Sequence, residues 1–187
     1  MKKIEKSDWF VEGLNVLATD GFAKITIDNL CTILNVTKGS FYHHFGSVDG
    51  YIDRLMTYWM EKNTVDFIKT TDSIVDVGAR YGMLREFASL VSQKAEQVIR
   101  AWSFSNETVR RYVQQVDGMR MKYLTDLSIQ IGIDAKEAEL YTTMEYGIMI
   151  GVQQLKLDIS QEDFRNLFVY FRDVKFQKMG NKEINKL

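Results

Sequence analysis

The chain of 187 residues is 45% hydrophobic and 26% charged, which is ordinary globular usage and excludes a disordered or fibrous class. It has no run of about 18 apolar residues and no apolar leader at residues 1–6, so we expect a cytoplasmic protein without a membrane partner. The formal net charge is −1, and residues 1–50 carry five lysines against six acidic residues, which excludes nucleic-acid binding through bulk positive charge.

The apolar residues recur at helical spacing throughout, and proline is absent from the chain. We therefore predict an all-α fold of about nine helices. The single cysteine, Cys31, excludes an internal disulfide and is expected to be a small buried residue.

The first predicted helix runs from about Ser7 to Thr19. Ser7 is the expected N-cap, and Gly21 follows the end of the helix, where a positive backbone φ is common. The predicted apolar stripe of this helix consists of Phe10, Leu14 and Leu17.

Two short helices follow, Ile27–Leu34 and Lys38–Phe45, joined by a tight turn. Thr26 and Thr37 stand directly before them as N-caps, and Asn35 can take the left-handed conformation that the turn requires. Neither helix is long enough to bury itself, so both must pack on the first helix. This is the outline of a helix-turn-helix.

The second short helix is unusual in what it leaves exposed, because Phe41 and Phe45 stand four apart and face inward. Its start and outer face carry hydrogen-bond donors and one glycine: Lys38, Gly39, Ser40, Tyr42, His43 and His44. Hydroxyls and imidazole N–H groups suit phosphate oxygens, and Thr26 would turn the free N–H groups of its helix toward another phosphate. Gly39 costs about 1 kcal/mol in a helix relative to alanine, yet it clears space where the helix would approach a base edge.

Other interpretations of these residues are open. A Tyr-His-His run taken alone is typical of a surface patch, and Lys38 can be an ordinary solvated lysine. His43 and His44 are adjacent and face different ways on a helix, so we expect no metal site. They are the only histidines, and no nucleophile, metal or phosphate-loop pattern is present, so we expect no catalytic residues and no cofactor.

Longer helices are predicted over the rest of the chain. Ser160 is the expected N-cap of the last one, with Asp163 three residues on. The predicted ranges are about Val48–Lys69, Asp76–Ser92, Lys94–Phe104, Glu107–Ile131, Ala135–Leu157 and Gln161–Lys178.

Gly21-Phe22, Thr26-Ile27 and the run VTKGSFYHHF at residues 36–45 resemble the N-terminal domain of the TetR family of transcriptional regulators, over roughly the first 55 residues. The resemblance implies a helix-turn-helix DNA-binding domain at residues 1–47, whose second short helix enters the major groove. The DNA contacts that it implies are Thr26, Thr37, Lys38, Gly39, Ser40, Tyr42, His43 and His44.

The sequence departs from the family pattern after the motif. The family commonly has Pro-Ser-Lys-Glu there, with the lysine on a phosphate, whereas this chain has Gly-Ser-Val-Asp at residues 46–49. That cation is absent, so either the affinity is lower or Lys2, Lys3 and Lys6 replace it. Asn35, where the family usually has glycine, changes little.

The resemblance also implies that residues 48–187 form a helical effector-binding and dimerisation domain. A hydrophobic or planar small molecule would bind among its helices, and the last two helices would pair with those of a second copy. Candidates for the pocket wall are Trp59, Met83, Phe87, Trp102, Met119 and Tyr123. Candidates for the dimer interface are Gly147, Gly151, Phe164, Phe168 and Phe171, although both glycines can instead serve packing within the chain.

The favoured hypothesis is a homodimeric repressor that a small hydrophobic ligand releases from a palindromic DNA operator. The first alternative is a helical small-molecule carrier with a vestigial head, which the weak charge of residues 1–50 motivates. An enzyme is the second alternative, and no catalytic pattern supports it.

Overall fold

The computed structural model describes residues 4–90, 92–155, 159–167 and 169–170. Every regular element in these residues is helical, which confirms the all-α prediction. The helices are α1 (Lys6–Asp20), α2 (Ile27–Leu34), α3 (Lys38–Phe45), α4 (Val48–Met60), α5 (Asp66–Asp72), α6 (Val77–Leu90), α7 (Gln93–Trp102), α8 (Glu107–Gln130) and α9 (Ala135–Leu155). A further helical segment covers residues 161–167 and 169–170. Within the described residues, no helix combines the length and apolar composition that spanning a membrane requires.

The chain divides into two compact units. The first consists of Met1–Asp66 and Ser92–Gly118, and the second of Phe67–Val91 and Met119–Leu187. The first unit therefore holds α1 to α4, α7 and the first half of α8, while the second holds α5, α6, α9 and the rest of α8. The predicted functional boundary between residues 47 and 48 stays a prediction.

The start of α1 differs from the prediction. The helix begins at Lys6 with Glu5 as its N-cap, so the assignment of Ser7 as the cap was wrong. The backbone N–H of Glu5 donates to the Asp8 carboxylate at 2.7 Å, which satisfies one of the polar groups that a helix start leaves unpaired.

The buried face of α1 is also displaced from the predicted stripe. Phe10 and Leu14 are only half-buried. Leu17 is buried as predicted, and Gly13 lies so close to α4 that a side chain there would collide with Tyr51 and with Leu55. The buried residues of α1 are Trp9, Gly13, Val16 and Leu17.

The fourth predicted helix is not continuous. Ser47 caps α4 by accepting the Gly50 N–H at 3.0 Å. The α-helix then ends at Met60, and a π-helical turn over Glu61–Val65 separates it from α5. Such turns widen the helix by one residue and are frequent near functional sites.

Hydroxyl caps define two later helix starts. Ser92 accepts the Ala95 N–H at 3.3 Å and is the N-cap of α7, so the preceding helix does not extend to Ser92 as predicted. Ser160 accepts the Asp163 N–H at 3.0 Å and donates to the Asp163 carboxylate at 2.8 Å, as the sequence predicts for a helix start.

Candidate nucleic-acid interface

The turn between α2 and α3 is held by local hydrogen bonds. The hydroxyl of Thr26 accepts the Asn29 N–H, and the hydroxyl of Thr37 accepts the Ser40 N–H, each at 3.3 Å. Asn35 adopts a left-handed conformation with φ of 53°, as predicted. Each cap fixes the start of its own helix, and the turn itself is held by the Val36 N–H, which donates to the Cys31 carbonyl at 3.0 Å.

An aromatic cluster supports α3 from behind. The rings of Phe41 and Phe45 lie 5.6 and 5.5 Å from the ring of Trp9, in edge-to-face geometry. Tyr51 packs on the same two rings, and its hydroxyl donates to the Trp9 carbonyl at 2.8 Å. Edge-to-face pairs contribute about 0.5–1.5 kcal/mol each beyond the burial of area, so the cluster holds α3 firmly on α1 and α4.

The opposite face of α3 is open to solvent. The side chain of Tyr42 is 52% exposed, although it is large and aromatic. A Cβ atom on Gly39 would meet only the Thr37 hydroxyl, at an ordinary distance of 3.6 Å. Folding therefore does not require a glycine here. Lys38, Gly39 and His43 are also exposed, and Ser40 and His44 are half-buried.

His44 lies at the edge of the aromatic cluster rather than on the outermost surface. Its ring is 6.4 Å from that of Trp9 and 5.3 Å from that of His43. Burial, and then the nearby His43 and Lys6, lower the pKa of His44, which favours the neutral imidazole. A neutral imidazole has one N–H donor for a phosphate or a base edge.

The lysine that begins α3 is paired with an acidic residue that the sequence reasoning did not single out. The Lys38 ammonium forms an ion pair with the carboxylate of Asp28, in the first turn of α2. Hydrogen bonding to Asp28 raises the pKa of Lys38. The signal available in the sequence was an acidic residue two positions after the cap Thr26, but its partner is ten residues away.

Of the three lysines proposed to replace the missing cation, the structure describes only Lys6. Lys6 begins α1 and is exposed, and it is close enough to His44 to affect its pKa. Lys2 and Lys3 lie outside the described residues. The start of α4 carries Val48 and Asp49, so α4 has an apolar side chain at the position of the family's lysine and a carboxylate directly after it.

The predicted pocket residues fall into both units. In the first unit, Trp59 is 1% exposed and its indole N–H donates to the Glu96 carboxylate at 2.8 Å. Trp102, at the end of α7, stacks on Phe22 with centroids 5.7 Å apart and an interplanar angle of 5°. Trp102 thus contacts the segment that connects α1 to α2.

The other four pocket candidates belong to the second unit. Phe87 stacks on Phe67, with centroids 4.4 Å apart, and the hydroxyl of Tyr123 lies 2.9 Å from that of Thr71. Phe67 and Thr71 are four residues apart on α5, so α5 brings Phe87 and Tyr123 to one of its faces. The remaining two candidates are Met83 and Met119.

Helix α9 carries the predicted interface glycines on a solvent-facing apolar surface, which we call the α9 apolar face. Added Cβ atoms on Gly147 and Gly151 would meet no atom within 4 Å, so neither glycine serves packing within the described chain. The opposite side of the helix is buried and includes Thr142 and Gln153. The face consists of Leu140, Met144, Gly147, Ile148, Gly151 and Leu155.

The phenylalanines predicted for the same interface are placed differently. Phe164 is 1% exposed and is therefore buried within the second unit, away from solvent. Phe168 and Phe171 lie outside the described residues.

No protein-family model and no curated protein matches the sequence. The structure, however, is similar to solved transcriptional regulators over most of its length. A TetR-family regulator from Rhodococcus sp. superposes with a TM-score of 0.74 at 16% identity, covering 91% of this chain and 98% of that chain. A TetR transcription regulator from Haloarcula marismortui ATCC 43049 gives 0.73 at 19% identity, covering 90% and 96%.

A third similar structure carries a small molecule. It is a transcriptional regulator from Saccharomonospora viridis in complex with choline, with a TM-score of 0.71 at 14% identity, covering 90% of this chain and 95% of that chain. These similarities show that the chain has the fold of the TetR-type regulators.

Proposed function

We propose that this chain, whose fold is that of the TetR-type regulators, is a sequence-specific DNA-binding transcriptional regulator. In this proposal, the regulator is a homodimeric repressor, and a small hydrophobic ligand releases it from a palindromic operator. The observation that carries the proposal is the contrast between the two faces of α3. Its inner face is anchored by an aromatic cluster, while its outer face leaves the large Tyr42 side chain 52% exposed, with Lys38 and His43 exposed beside it.

DNA contact explains this contrast. Phosphate contacts fix the position of a protein on the duplex, and hydroxyl and amide donors make such contacts alongside cations. In the proposal, Thr26, Thr37 and Ser40 bind phosphates at the helix starts. Lys38 and Tyr42 reach further, and His43 and His44 contribute ring N–H donors beside them. Gly39 allows the start of α3 to approach the bases.

Dimerisation is supported by the α9 apolar face. Leu140 is 67% exposed, Met144 56% and Ile148 41%, and they recur every four residues along one side of the helix. A contiguous apolar face of this kind marks an interaction surface, and its glycines permit close approach of a second helix. A symmetric pair would present two α3 helices about 34–36 Å apart, which is one turn of DNA.

An effector site is supported by the aromatic and hydroxyl groups of the second unit. Phe67 and Phe87 offer apolar surface, while Thr71 and Tyr123 offer hydrogen-bonding groups from the same side of α5. Pockets for small molecules combine these two kinds of lining. The regulator crystallised with choline shows that this fold accommodates a small molecule in at least one case.

A response to a ligand also requires that helix movements reach the helix-turn-helix. Trp102 ends α7 and stacks on Phe22, which lies directly before α2. A displacement of α7 would therefore move Phe22, which lies directly before the helix-turn-helix.

We expect no catalytic activity from the chain.

The function is tested by selecting duplexes from a random DNA library and by footprinting the DNA beside the gene. We expect a short palindromic site, and affinity that falls steeply with salt because phosphate contacts release counterions. Ligand binding without any sequence preference for DNA would instead support the carrier hypothesis.

A substitution at Tyr42 tests the reading surface. Tyr42→Phe keeps the ring but removes the hydroxyl, and we expect operator affinity to fall about 10- to 100-fold, because hydrogen bonds to charged groups contribute about 1.5–3 kcal/mol. Fluorescence anisotropy with a labelled operator measures the change. Tyr58→Phe is the control, because Tyr58 is a tyrosine of α4 whose ring packs on Phe10, and it lies outside both α3 and the proposed dimer interface. Equal affinities for both variants would remove Tyr42 from the interface.

A further inference from the structure

We propose that Asp28 is a specificity determinant of the DNA-binding head, because its carboxylate holds Lys38 in an internal ion pair and withholds that cation from DNA of the wrong sequence. The inference rests on the proposed function and deepens it. Asp28 is the second residue of α2 and Lys38 the first residue of α3, so the pair spans the turn of the helix-turn-helix.

Folding stability does not explain the pair. The side chains are 63% exposed for Lys38 and 72% for Asp28, and ion pairs at this exposure contribute little to stability. The turn between their two helices is already held by backbone hydrogen bonds from Asn35 and Val36 to the end of α2, and Phe41 of α3 is buried. The pair does change the electrostatic potential at Lys38, the first residue of α3.

This electrostatic potential matters because the predicted DNA-binding domain has few cations. Residues 1–50 carry five lysines and no arginine, and Lys38 is the one that begins α3. A phosphate near Lys38 would also be near the Asp28 carboxylate, so attraction to one group is offset by repulsion from the other. DNA of any sequence presents such phosphates, and it therefore gains little from this pair.

The operator differs from other DNA because its bases can form hydrogen bonds with both members of the pair. A lysine donates to guanine O6 and N7 in the major groove, and a carboxylate accepts from the cytosine amino group. A base pair that engages Lys38, Asp28 or both replaces the internal contact with intermolecular ones. Non-specific DNA lacks this compensation, so the ion pair lowers non-specific affinity more than operator affinity.

The test compares Asp28→Asn with the unchanged protein on two duplexes, the selected operator and a scrambled sequence, over a series of salt concentrations. Asparagine keeps the shape of the side chain and removes its charge. We expect affinity for the scrambled duplex to rise about tenfold, and the salt slope to steepen by about 0.9 as Lys38 engages one more phosphate. Operator affinity should change less than threefold, so the specificity ratio falls.

Three further variants make the result decisive. Asp20→Asn removes the same charge from an exposed carboxylate that accepts a hydrogen bond from the Thr19 hydroxyl, and it should leave the specificity ratio within twofold. Asp28→Ser repeats the charge removal with a second side chain suited to a helix start. Adding Lys38→Ala to Asp28→Asn should abolish the gain on the scrambled duplex, because Lys38 is the cation released.

The outcomes separate this inference from the proposed function. Unchanged affinity for the scrambled duplex, or an equal gain on both duplexes, would overturn the role of Asp28 while leaving the regulator assignment intact. If the unchanged protein binds neither duplex and no selected sequence, the proposed function fails and this inference fails with it.

Discussion

We expect the replacement of Gly39 by leucine to leave the protein folded and to lower its affinity for the proposed operator at least about 100-fold. The fold tolerates the change because a Cβ atom at this position meets only the Thr37 hydroxyl at 3.6 Å, and the residue faces solvent. Glycine is less favourable than most residues inside a helix by up to about 1 kcal/mol, so the melting temperature should stay the same or rise. In the complex, the leucine would occupy the space between α3 and the bases.

Thermal melting and anisotropy with a labelled operator measure the two effects separately. Gly118→Leu is the matched control, because an added Cβ on Gly118 in α8 meets no atom within 4 Å and the residue is exposed. It should raise stability similarly and leave operator affinity unchanged. Operator affinity of Gly39→Leu within threefold of the original would show that this face of α3 does not approach DNA.

In the proposed dimer, we expect the replacement of Ile148 by glutamate to give a monomer at micromolar concentration. Ile148 is 41% exposed in the single chain and lies between Met144 and Gly151 on the α9 apolar face. The change therefore costs the monomer little, but it would bury two unpaired carboxylates in a symmetric interface. Operator affinity should fall about 100-fold or more, because each head then binds its half-site without the effective concentration that its partner supplies.

Sedimentation velocity gives the mass, and anisotropy on full and half operators gives the affinity. Val75→Glu is the control, since Val75 is an isolated apolar residue that is 93% exposed between α5 and α6. It should remain dimeric and bind the operator normally. A dimeric Ile148→Glu would place the partner contact elsewhere on the chain.

The helix-turn-helix was predictable from the sequence residue by residue. The bounds of α2 and α3, the caps Thr26 and Thr37, and the left-handed Asn35 all agree with the structure. These features depend on interactions between residues no more than about four positions apart, such as a hydroxyl accepting the N–H three residues on. Local chemistry is therefore sufficient to specify them.

The sequence predictions were wrong where burial depends on a residue that is distant in the sequence. The buried face of α1 includes Gly13, which lies against the hydroxyl of Tyr51, 38 positions away, and the predicted stripe did not include this glycine. Apolar periodicity alone cannot separate a half-buried residue from a buried one, because both lie on the inward side of the helix.

The candidate sites show the same division. The sequence by itself determined which residues of α3 face away from the core, since Phe41 and Phe45 must face inward at helical spacing. Only the tertiary structure decided that Lys38 is paired with Asp28, that Trp102 stacks on Phe22, and that the α9 glycines face solvent. These are contacts, or absences of contact, between chain segments far apart in sequence, so they follow from how the helices pack and from no pattern within a single helix.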